Sequence, residues 1–115
     1  MSARNVVIDR TERGVGIVAL AGEHETFTAE KLRTDLHTLV EEGRGIVVDL
    51  TATTFLDSAV VGVILETRYE AERRDLKFAV VMDDNTGPAV QRLFDLTGLN
   101  AVLPIARSRA AALAG

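Results

Sequence analysis

The residues best suited to chemistry are Asp57 and Ser58, which stand directly before an apolar segment with helical spacing. Taking Ser58 as the residue that caps this helix, we expect its hydroxyl at a strand-to-helix corner, beside the carboxylate of Asp57. The very small side chains of Ala59 and Gly62 follow on the predicted outer side of the helix and give close access to the hydroxyl. This pattern is typical of a docking surface for a partner or of a phosphate site.

Two interpretations of Ser58 follow from the residues alone. In the simpler one the serine only caps the helix, a role that stabilises a protein by about 1 kcal/mol. In the other, Ser58 accepts a phosphate, which adds roughly −1.5 to −2 charges. Because a helix N-terminus favours anions, the fold is expected to survive this change. A bound partner would have to desolvate the new charge beside Asp57, so the serine would switch binding and not folding.

The helix after Ser58 is expected to have two faces. The side predicted to face the core carries Val60, Val61, Ile64, Leu65 and Ala71. The side predicted to face solvent carries Ala59, Gly62, Glu66, Tyr69 and Arg73. Val63 falls near the edge of the apolar stripe, and we expect it to be partly exposed, as a contact surface requires.

Catalytic and metal-binding alternatives have weaker support. A serine hydrolase needs a base, and the sequence offers His24 in a predicted loop and His37 on a predicted helix. We interpret His37 as solvated and keep a small hydrolase using Ser58 and His24 as an alternative hypothesis. Asp83 and Asp84 are interpreted as a solvated turn and not as a Mg²⁺ site. Since the chain has no cysteine and no phosphate-cradling loop, we predict no catalytic residue, metal or cofactor.

The composition predicts one globular domain spanning residues 1–115, with 47% hydrophobic residues and a net charge of −4. The start has no signal-peptide core, and no apolar run approaches the roughly 20 residues that span a bilayer. We therefore expect a cytoplasmic protein without membrane contact. Because the basic residues are scattered, no direct contact with nucleic acid is predicted. A monomer or a weak homodimer is expected.

The elements that position the serine begin with a predicted hairpin of residues 6–9 and 16–21. A helix follows, capped by Thr28 with a Phe27–Leu32 hydrophobic staple, and it ends at Gly43. Leu32, Leu36, Leu39 and Val40 are expected to form its buried face. Residues 46–50 and 78–82 are predicted as buried strands on either side of the helix after Ser58, which makes a right-handed parallel crossover the expected connection.

The last part of the chain is predicted to be mainly helical. Pro88 begins a short helix that ends at Gly98, with residues 102–105 as a last short strand and Ser108 as the cap of a final helix. The apolar side of the short helix is expected to carry Val90, Leu93, Phe94 and Leu96. The order of elements predicts an α/β domain, with a mixed, mostly parallel sheet of four or five strands and helices packed against it.

Three segments, in the same order along the chain, resemble STAS domains of the anti-sigma factor antagonist class. AGEHETFTAEKLR is similar to the family's Gly-Glu-x-Asp loop and first helix, GIVVDLTATTFLDS to its central strand and switch, and AVQRLFDLTGL to its third helix. LDSAVVGVIL resembles the switch segment, in which the serine after the aspartate is phosphorylated. The resemblance implies a single STAS-like domain that is not an enzyme.

The same resemblance implies a function and a set of partners. The unphosphorylated protein would bind an anti-sigma factor, a serine kinase of the GHKL type, and so free a sigma factor for transcription. The kinase would phosphorylate Ser58 and break the complex, and a PP2C-type phosphatase would reset it. Asp57 would be the neighbour of the acceptor at the interface, and Glu25 would take the place of the family's loop aspartate.

The predicted partner-binding surface joins the loop to the first turns of the helix. It comprises Glu23, Glu25, Asp57, Ser58, Ala59, Gly62, Val63 and Glu66. Family members commonly have a second Ser or Thr and then Gly after the switch serine, where this chain has Ala59 and Val60. Some STAS domains lack phosphorylation, so a constitutive scaffold or a module associated with a membrane transporter is the second hypothesis.

Overall fold

The structure, a computed structural model, describes residues 5–114 and confirms an α/β domain built on a mixed sheet. The strands in chain order are β1 (Asn5–Arg10), β2 (Val15–His24), β3 (Gly45–Asp49), β4 (Thr53–Leu56), β5 (Phe78–Val81) and β6 (Ile105–Ala106). The helices are α1 (Thr26–Glu41), α2 (Ser58–Arg73), α3 (Pro88–Thr97), α4 (Leu99–Val102) and α5 (Arg109–Ala114). Within residues 5–114, no helix combines the length and apolarity needed to cross a lipid bilayer.

The sheet is mostly parallel, as predicted, with the strand order β1-β2-β3-β5-β6. The predicted hairpin is confirmed, because β1 pairs antiparallel with β2 from Asn5 opposite Ala21 to Arg10 opposite Gly16. The pairs β2–β3, β3–β5 and β5–β6 are all parallel. The sheet has one strand more than predicted, and the additional strand is β4. The sequence analysis did not recognise it because β4 lacks the long apolar run that identified β3 and β5.

Strand β2 is long enough to pair with two other strands, one after the other, along the same edge. Its first part, residues 15–19, pairs with β3, and its last part, residues 22–24, pairs in parallel with β4. The register shifts within the β2–β4 pair, because Gly22 lies opposite Thr53 and the next residue, Glu23, lies opposite Phe55. The buried hydroxyl of Thr53 donates to the carbonyl of Leu20 at 2.6 Å and fixes the start of β4.

Helices α1 and α2 cover one face of the sheet and form the main core with it. The predicted buried positions of α1, which are Leu32, Leu36, Leu39 and Val40, are all buried. Leu39 packs directly on β2, since a Cβ added to Gly16 would lie 2.9 Å from its Cδ1 atom. A larger residue at position 16 would therefore require the Leu39 side chain to shift.

The cap predicted for α1 is wrong. The helix begins three residues earlier than predicted, at Thr26, with Glu25 in place of Thr28 as the N-cap residue. Thr28 is a buried residue of the first turn, and Phe27 lies inside the helix with 62% of its surface exposed. Because a staple requires its first residue to precede the cap, the predicted Phe27–Leu32 staple does not form. The predicted end is confirmed, since Gly43 follows the helix with a left-handed φ of 78°.

The C-terminal elements agree with the sequence prediction in part. Pro88 begins α3, and Gly98 ends it with a left-handed φ of 75°. Leu96, however, is 79% exposed and does not belong to the buried side. The last short strand is present, but its predicted bounds of 102–105 are wrong, because residues 99–102 form α4 and β6 comprises only Ile105–Ala106. The Ser108 hydroxyl accepts from the amide of Ala111 at 3.0 Å, which confirms the predicted cap of α5.

Helix α5 lies on the second face of the sheet and is held there by an ion pair between a half-exposed arginine and a buried aspartate. The Arg109 guanidinium donates to the Asp49 carboxylate at 2.6 Å, and the amide of Thr51 donates to the same carboxylate at 2.9 Å. Burial alone would raise the pKa of Asp49, but the hydrogen bonds from Thr51 and Arg109 outweigh it and lower the pKa below its ordinary value. The ionised carboxylate therefore stabilises the folded state.

We expect Arg109→Ala to lower the free energy of unfolding by about 1–3 kcal/mol, because the Asp49 side chain, only 7% exposed, loses a charged donor. Since the folded-state pKa is lowered, this contribution is present above the ordinary aspartate value of 3.8 and is lost as the pH falls through the folded-state value. Urea titrations at pH 7 and at pH 3 measure the difference between the variant and the wild type, which should shrink at the lower pH.

Arg107→Ala is the matched control, because it removes an arginine whose bond to Asp84 is exposed on both sides. Its effect should stay within about 0.5 kcal/mol at both pH values. Equal losses for the two arginine variants, or a loss for Arg109→Ala that does not depend on pH, would contradict a stabilising Asp49–Arg109 pair.

Candidate functional site

The N-terminus of α2 is capped by Asp57 and not by Ser58, so that prediction is wrong. The Asp57 carboxylate accepts from the amide of Ala59 at 2.8 Å, while its own carbonyl accepts from the amides of Val60 and Val61. Aspartate and serine both cap helices well. Here the backbone after β4 places Asp57, and not Ser58, in the extended conformation of an N-cap residue. Ser58 is consequently the first helical residue, with no capping role of its own.

The hydroxyl of Ser58 is accessible, as the sequence predicts. Ser58 is exposed, and its side chain makes no hydrogen bond to any other residue in the range 5–114. It lies at the N-terminus of a sixteen-residue helix, where the helix dipole favours negative charge. An enzyme can therefore reach this serine without opening the fold.

Pairing of β2 with β4 brings the predicted loop to the serine. The amide of Asp57 donates to the carbonyl of His24 at 2.9 Å, and Glu23 lies opposite Phe55 in the register. Because α1 starts directly after Glu25, the first turns of α1 and α2 both begin at this edge of the sheet. The structure thus brings together the two segments that the sequence analysis selected, and we call this region the carboxyl edge, comprising residues 22–27 and 53–62.

The carboxyl edge is acidic. Glu23 and Glu25 are exposed and Asp57 is half-buried, and none of the three forms a salt bridge with a basic side chain of residues 5–114. Opposite charges attract across an interface, so this edge favours a partner that presents basic groups.

Glu66 lies two turns further along α2 and has a different environment. Its carboxylate accepts from the guanidinium of Arg33 on α1 at 3.1 Å, and Arg33 also contacts Glu30 at 2.6 Å. Hydrogen bonding to Glu66 is the largest cause of the raised pKa of Arg33. Glu66 therefore helps to join α1 to α2, a contact for which the sequence analysis had no signal.

The outer face of α2 is open beside Ser58. Ala59 and Gly62 are half-buried, and a Cβ added to Gly62 would meet no atom within 4 Å. A partner can therefore approach the first two turns of the helix closely. This agrees with the predicted position of both residues.

The expected partial exposure of Val63 is wrong, because this side chain is fully buried. The buried residues of α2 are Val60, Val63, Ile64, Thr67 and Ala71. Thr67 belongs to this stripe and donates its hydroxyl to the carbonyl of Val63 at 2.8 Å. Val61 and Leu65, which the sequence analysis placed on the core side, are half-buried and pack against the core. Val63 supports the site from the core and does not contact a docked partner.

The geometry gives no support to a hydrolase that uses His24. This residue is the last of β2, not part of a loop, and its side chain is fully buried. Its Nε2 atom lies 2.9 Å from the carbonyl of Ala21, which requires the proton on that nitrogen. His37 is exposed near Glu41, as expected for a solvated residue.

The turn after β5 agrees with its interpretation as a solvated turn. The Asp83 carboxylate accepts from the amide of Asn85 at 2.8 Å, and Asp84 contacts Arg107 at 2.7 Å on the surface. Among residues 5–114, no group of three or more histidine, aspartate or glutamate side chains is arranged to hold a metal ion.

Sequence reasoning missed two aromatic side chains of the carboxyl edge. Phe27 in the first turn of α1 is 62% exposed, and Phe55 in β4 is 41% exposed. The sequence analysis assigned Phe27 to a staple and did not recognise β4 as a strand, so it had no means of placing Phe55 beside Glu23.

The site is an open surface at the start of a helix on a small α/β domain. The model of the STAS domain family matches residues 6–112, and the chain belongs to this family. It is 36% identical over 95 residues to an anti-sigma F factor antagonist of Paenibacillus polymyxa, covering 81% of this chain and 79% of the relative. It is 29% identical over 101 residues to the anti-sigma-B factor antagonist of Bacillus subtilis, covering 88% and 89%.

Solved structures share the fold. An anti-sigma factor antagonist from Mycobacterium paratuberculosis superposes with a TM-score of 0.81 at 27% identity, covering 97% of this chain and 92% of that one. The Bacillus cell fate determinant SpoIIAA in its phosphorylated form gives a TM-score of 0.73 at 21% identity, covering 96% and 97%. These relatives are regulatory binding proteins, which confirms the prediction that the chain is not an enzyme.

The assignment of the cap can be tested by stability alone. We expect Asp57→Ala to lower the free energy of unfolding by about 1 kcal/mol, because the amide of Ala59 loses its acceptor. Ser58→Ala should change it by less than about 0.5 kcal/mol, since the hydroxyl is exposed and makes no bond within the described chain. Urea unfolding followed by circular dichroism measures both, and a larger loss for Ser58→Ala would reverse the assignment.

Proposed function

We propose that this protein is an anti-sigma factor antagonist that binds an anti-sigma factor serine kinase through the carboxyl edge and thereby frees a sigma factor. The observation that carries the proposal is the exposed Ser58 directly after the Asp57 cap, beside the loop of Glu23 and Glu25. Relatives up to 36% identical are anti-sigma factor antagonists, which supports the same role. The kinase is expected to be of the GHKL type, and the complex to form in the cytoplasm.

Phosphorylation of Ser58 is proposed to switch this binding off. A phosphate there would add roughly −1.5 to −2 charges next to the carboxylate of Asp57. Two unit charges 4 Å apart interact by about 1 kcal/mol in water and about 4 kcal/mol at an effective dielectric constant of 20. A docked partner excludes water and therefore increases the electrostatic repulsion between the phosphate and Asp57. In the free protein the phosphate stays solvated, and the repulsion is weak. A PP2C-type phosphatase is the proposed enzyme that resets the switch.

This chain departs from the family pattern at Ala59 and Val60, but Ser58, the proposed phosphate acceptor, is retained. Val60 is fully buried in the core, so the valine in place of glycine does not reach the surface. The amide of Ala59 is held by Asp57, and the missing second hydroxyl does not alter the exposure of Ser58. These contacts support Ser58 as the acceptor.

A constitutive STAS scaffold, or a module associated with a membrane transporter, is the second candidate. It is favoured by the alanine at position 59, where family members commonly carry a second hydroxyl. The two proposals differ in whether Ser58 receives a phosphate, and this difference can be measured directly.

The switch predicts phosphate transfer to one residue. Incubation with ATP and each purified GHKL-type anti-sigma factor kinase of the source genome should add one phosphate to the wild type and none to Ser58→Ala. Intact-mass spectrometry measures the addition, and fragmentation locates it. If no kinase modifies Ser58, the constitutive scaffold replaces the switch.

A second prediction concerns affinity and fold together. Ser58→Asp is expected to weaken binding of the kinase at least about tenfold, a loss of about 1.4 kcal/mol, with a nearly unchanged melting temperature. Calorimetric titration and thermal unfolding measure the two quantities.

Ala110→Asp is the matched control for Ser58→Asp, since it adds the same charge to the first turn of α5 on the second face of the sheet. It should leave the affinity within about twofold. Equal loss of affinity in both variants would mean that net charge, and not the position of Ser58, decides binding.

A further inference from the structure

Exposed apolar side chains occur at several places on the described surface, and two of them are at the carboxyl edge. The large side chains with high exposure are Val7, Phe27, Phe55, Tyr69, Leu96, Val102 and Leu113. Single exposed apolar residues are ordinary on protein surfaces. Phe27 and Phe55 differ from the others because both belong to segments that also carry the acidic loop and the serine.

Resting on the proposed function, we infer that Phe27 and Phe55 are the apolar anchors through which the carboxyl edge holds the anti-sigma factor kinase. Phe55 lies opposite Glu23 in the β2–β4 register, and Phe27 follows Glu25 by two residues in the first turn of α1. One exposed aromatic side chain therefore follows the acidic loop along the chain, and the other lies across the strand register from it. The kinase is expected to present apolar side chains bordered by basic ones.

A hollow beside Phe27 provides the place where a partner side chain enters. It has a volume of about 200 Å³ and lies between β1 and the first two turns of α1. The residues that line it are Asn5, Val6, His24, Phe27, Thr28, Lys31 and Leu32. Lys31 is engaged with Asp35 at 3.0 Å. The remaining lining is mainly apolar, so it suits an aliphatic or aromatic side chain better than a charged one.

Charge alone does not account for a stable complex at this edge. Exposed carboxylates mainly steer the encounter and set the association rate. The energy that keeps a complex together is concentrated in a few buried aromatic or arginine side chains seated in pockets. Among the segments of the carboxyl edge, Phe27 and Phe55 are the large apolar side chains exposed in the free protein, so they are the residues that gain most from being covered.

The other exposed apolar side chains have surroundings that do not point to this interface. Tyr69 lies further along α2 under the guanidinium of Arg73, 5.8 Å from the ring centre. Leu96 and Val102 belong to α3 and α4, outside the segments of the carboxyl edge. Leu96, which is 79% exposed, thus offers a matched control for the loss of a large apolar side chain.

The test measures binding kinetics with the purified anti-sigma factor kinase that binds the wild type. Phe27→Ala and Phe55→Ala are each expected to weaken binding at least about tenfold, mainly through faster dissociation. Glu23→Gln combined with Glu25→Gln should instead slow association and reduce its dependence on salt. Leu96→Ala should leave both rates within about twofold.

The melting temperature of each variant is measured alongside. Because Phe55 is partly packed, Phe55→Ala can also lower the melting temperature. If it does so by more than a few degrees, Phe55→Leu serves as a second variant, and Phe55→Leu should still dissociate from the kinase faster than the wild type. If the wild type binds a kinase and both phenylalanine variants bind it equally well, the anchors are wrong while the proposed function stands. If the wild type binds none of the kinases, the proposed function fails and this inference fails with it.

Discussion

The backbone hydrogen bond from the amide of Asp57 to the carbonyl of His24 is the contact on which the candidate site depends. It closes the pairing of β4 with the end of β2, after β2 has already paired with β3 along the same edge. This second pairing holds the end of β2 directly against the start of α2. With it, Glu25 and Asp57, the N-cap residues of α1 and α2, follow directly on two neighbouring strands.

The contacts that build α2 are separate from the residues proposed to bind a partner. Asp57 caps the helix and Val60, Val63 and Ile64 bury its inner face, so these residues carry its stability. Ser58 is exposed, and its side chain makes no hydrogen bond to another residue of the described chain. Because the Ser58 side chain does not contribute to the stability of the fold, its modification changes the protein surface without unfolding the domain. This is the physical basis of the proposed switch.

Most of the fold could be predicted from hydrophobic periodicity, because β3, β5 and α1 bury regular apolar patterns. The sequence also located the site, since Asp57 and Ser58 are adjacent to a strong helix signal. It could not distinguish which of the two caps α2, because both are suitable and backbone geometry decides between them. The strand β4 was missed because it is short. Burial of Val63 depends on how α2 is rotated against the sheet. The observed rotation also buries Thr67, whose hydroxyl is satisfied by a hydrogen bond within its own helix. Exposure of Phe27 and Phe55 follows from the same tertiary geometry.

The central claim, that the carboxyl edge is the docking surface and Ser58 its switch, is tested most directly by NMR. Isotope-labelled protein is titrated with the purified anti-sigma factor kinase, first unmodified and then with phosphoserine at position 58. The account predicts that amide signals of residues 22–27 and 53–62 shift on titration of the unmodified protein and that those of α5 do not. It also predicts that the phosphorylated protein shows no shifts with the kinase, although its own spectrum remains that of a folded domain. Shifts centred on α5 and the second face of the sheet, or equal shifts with and without the phosphate, would contradict it.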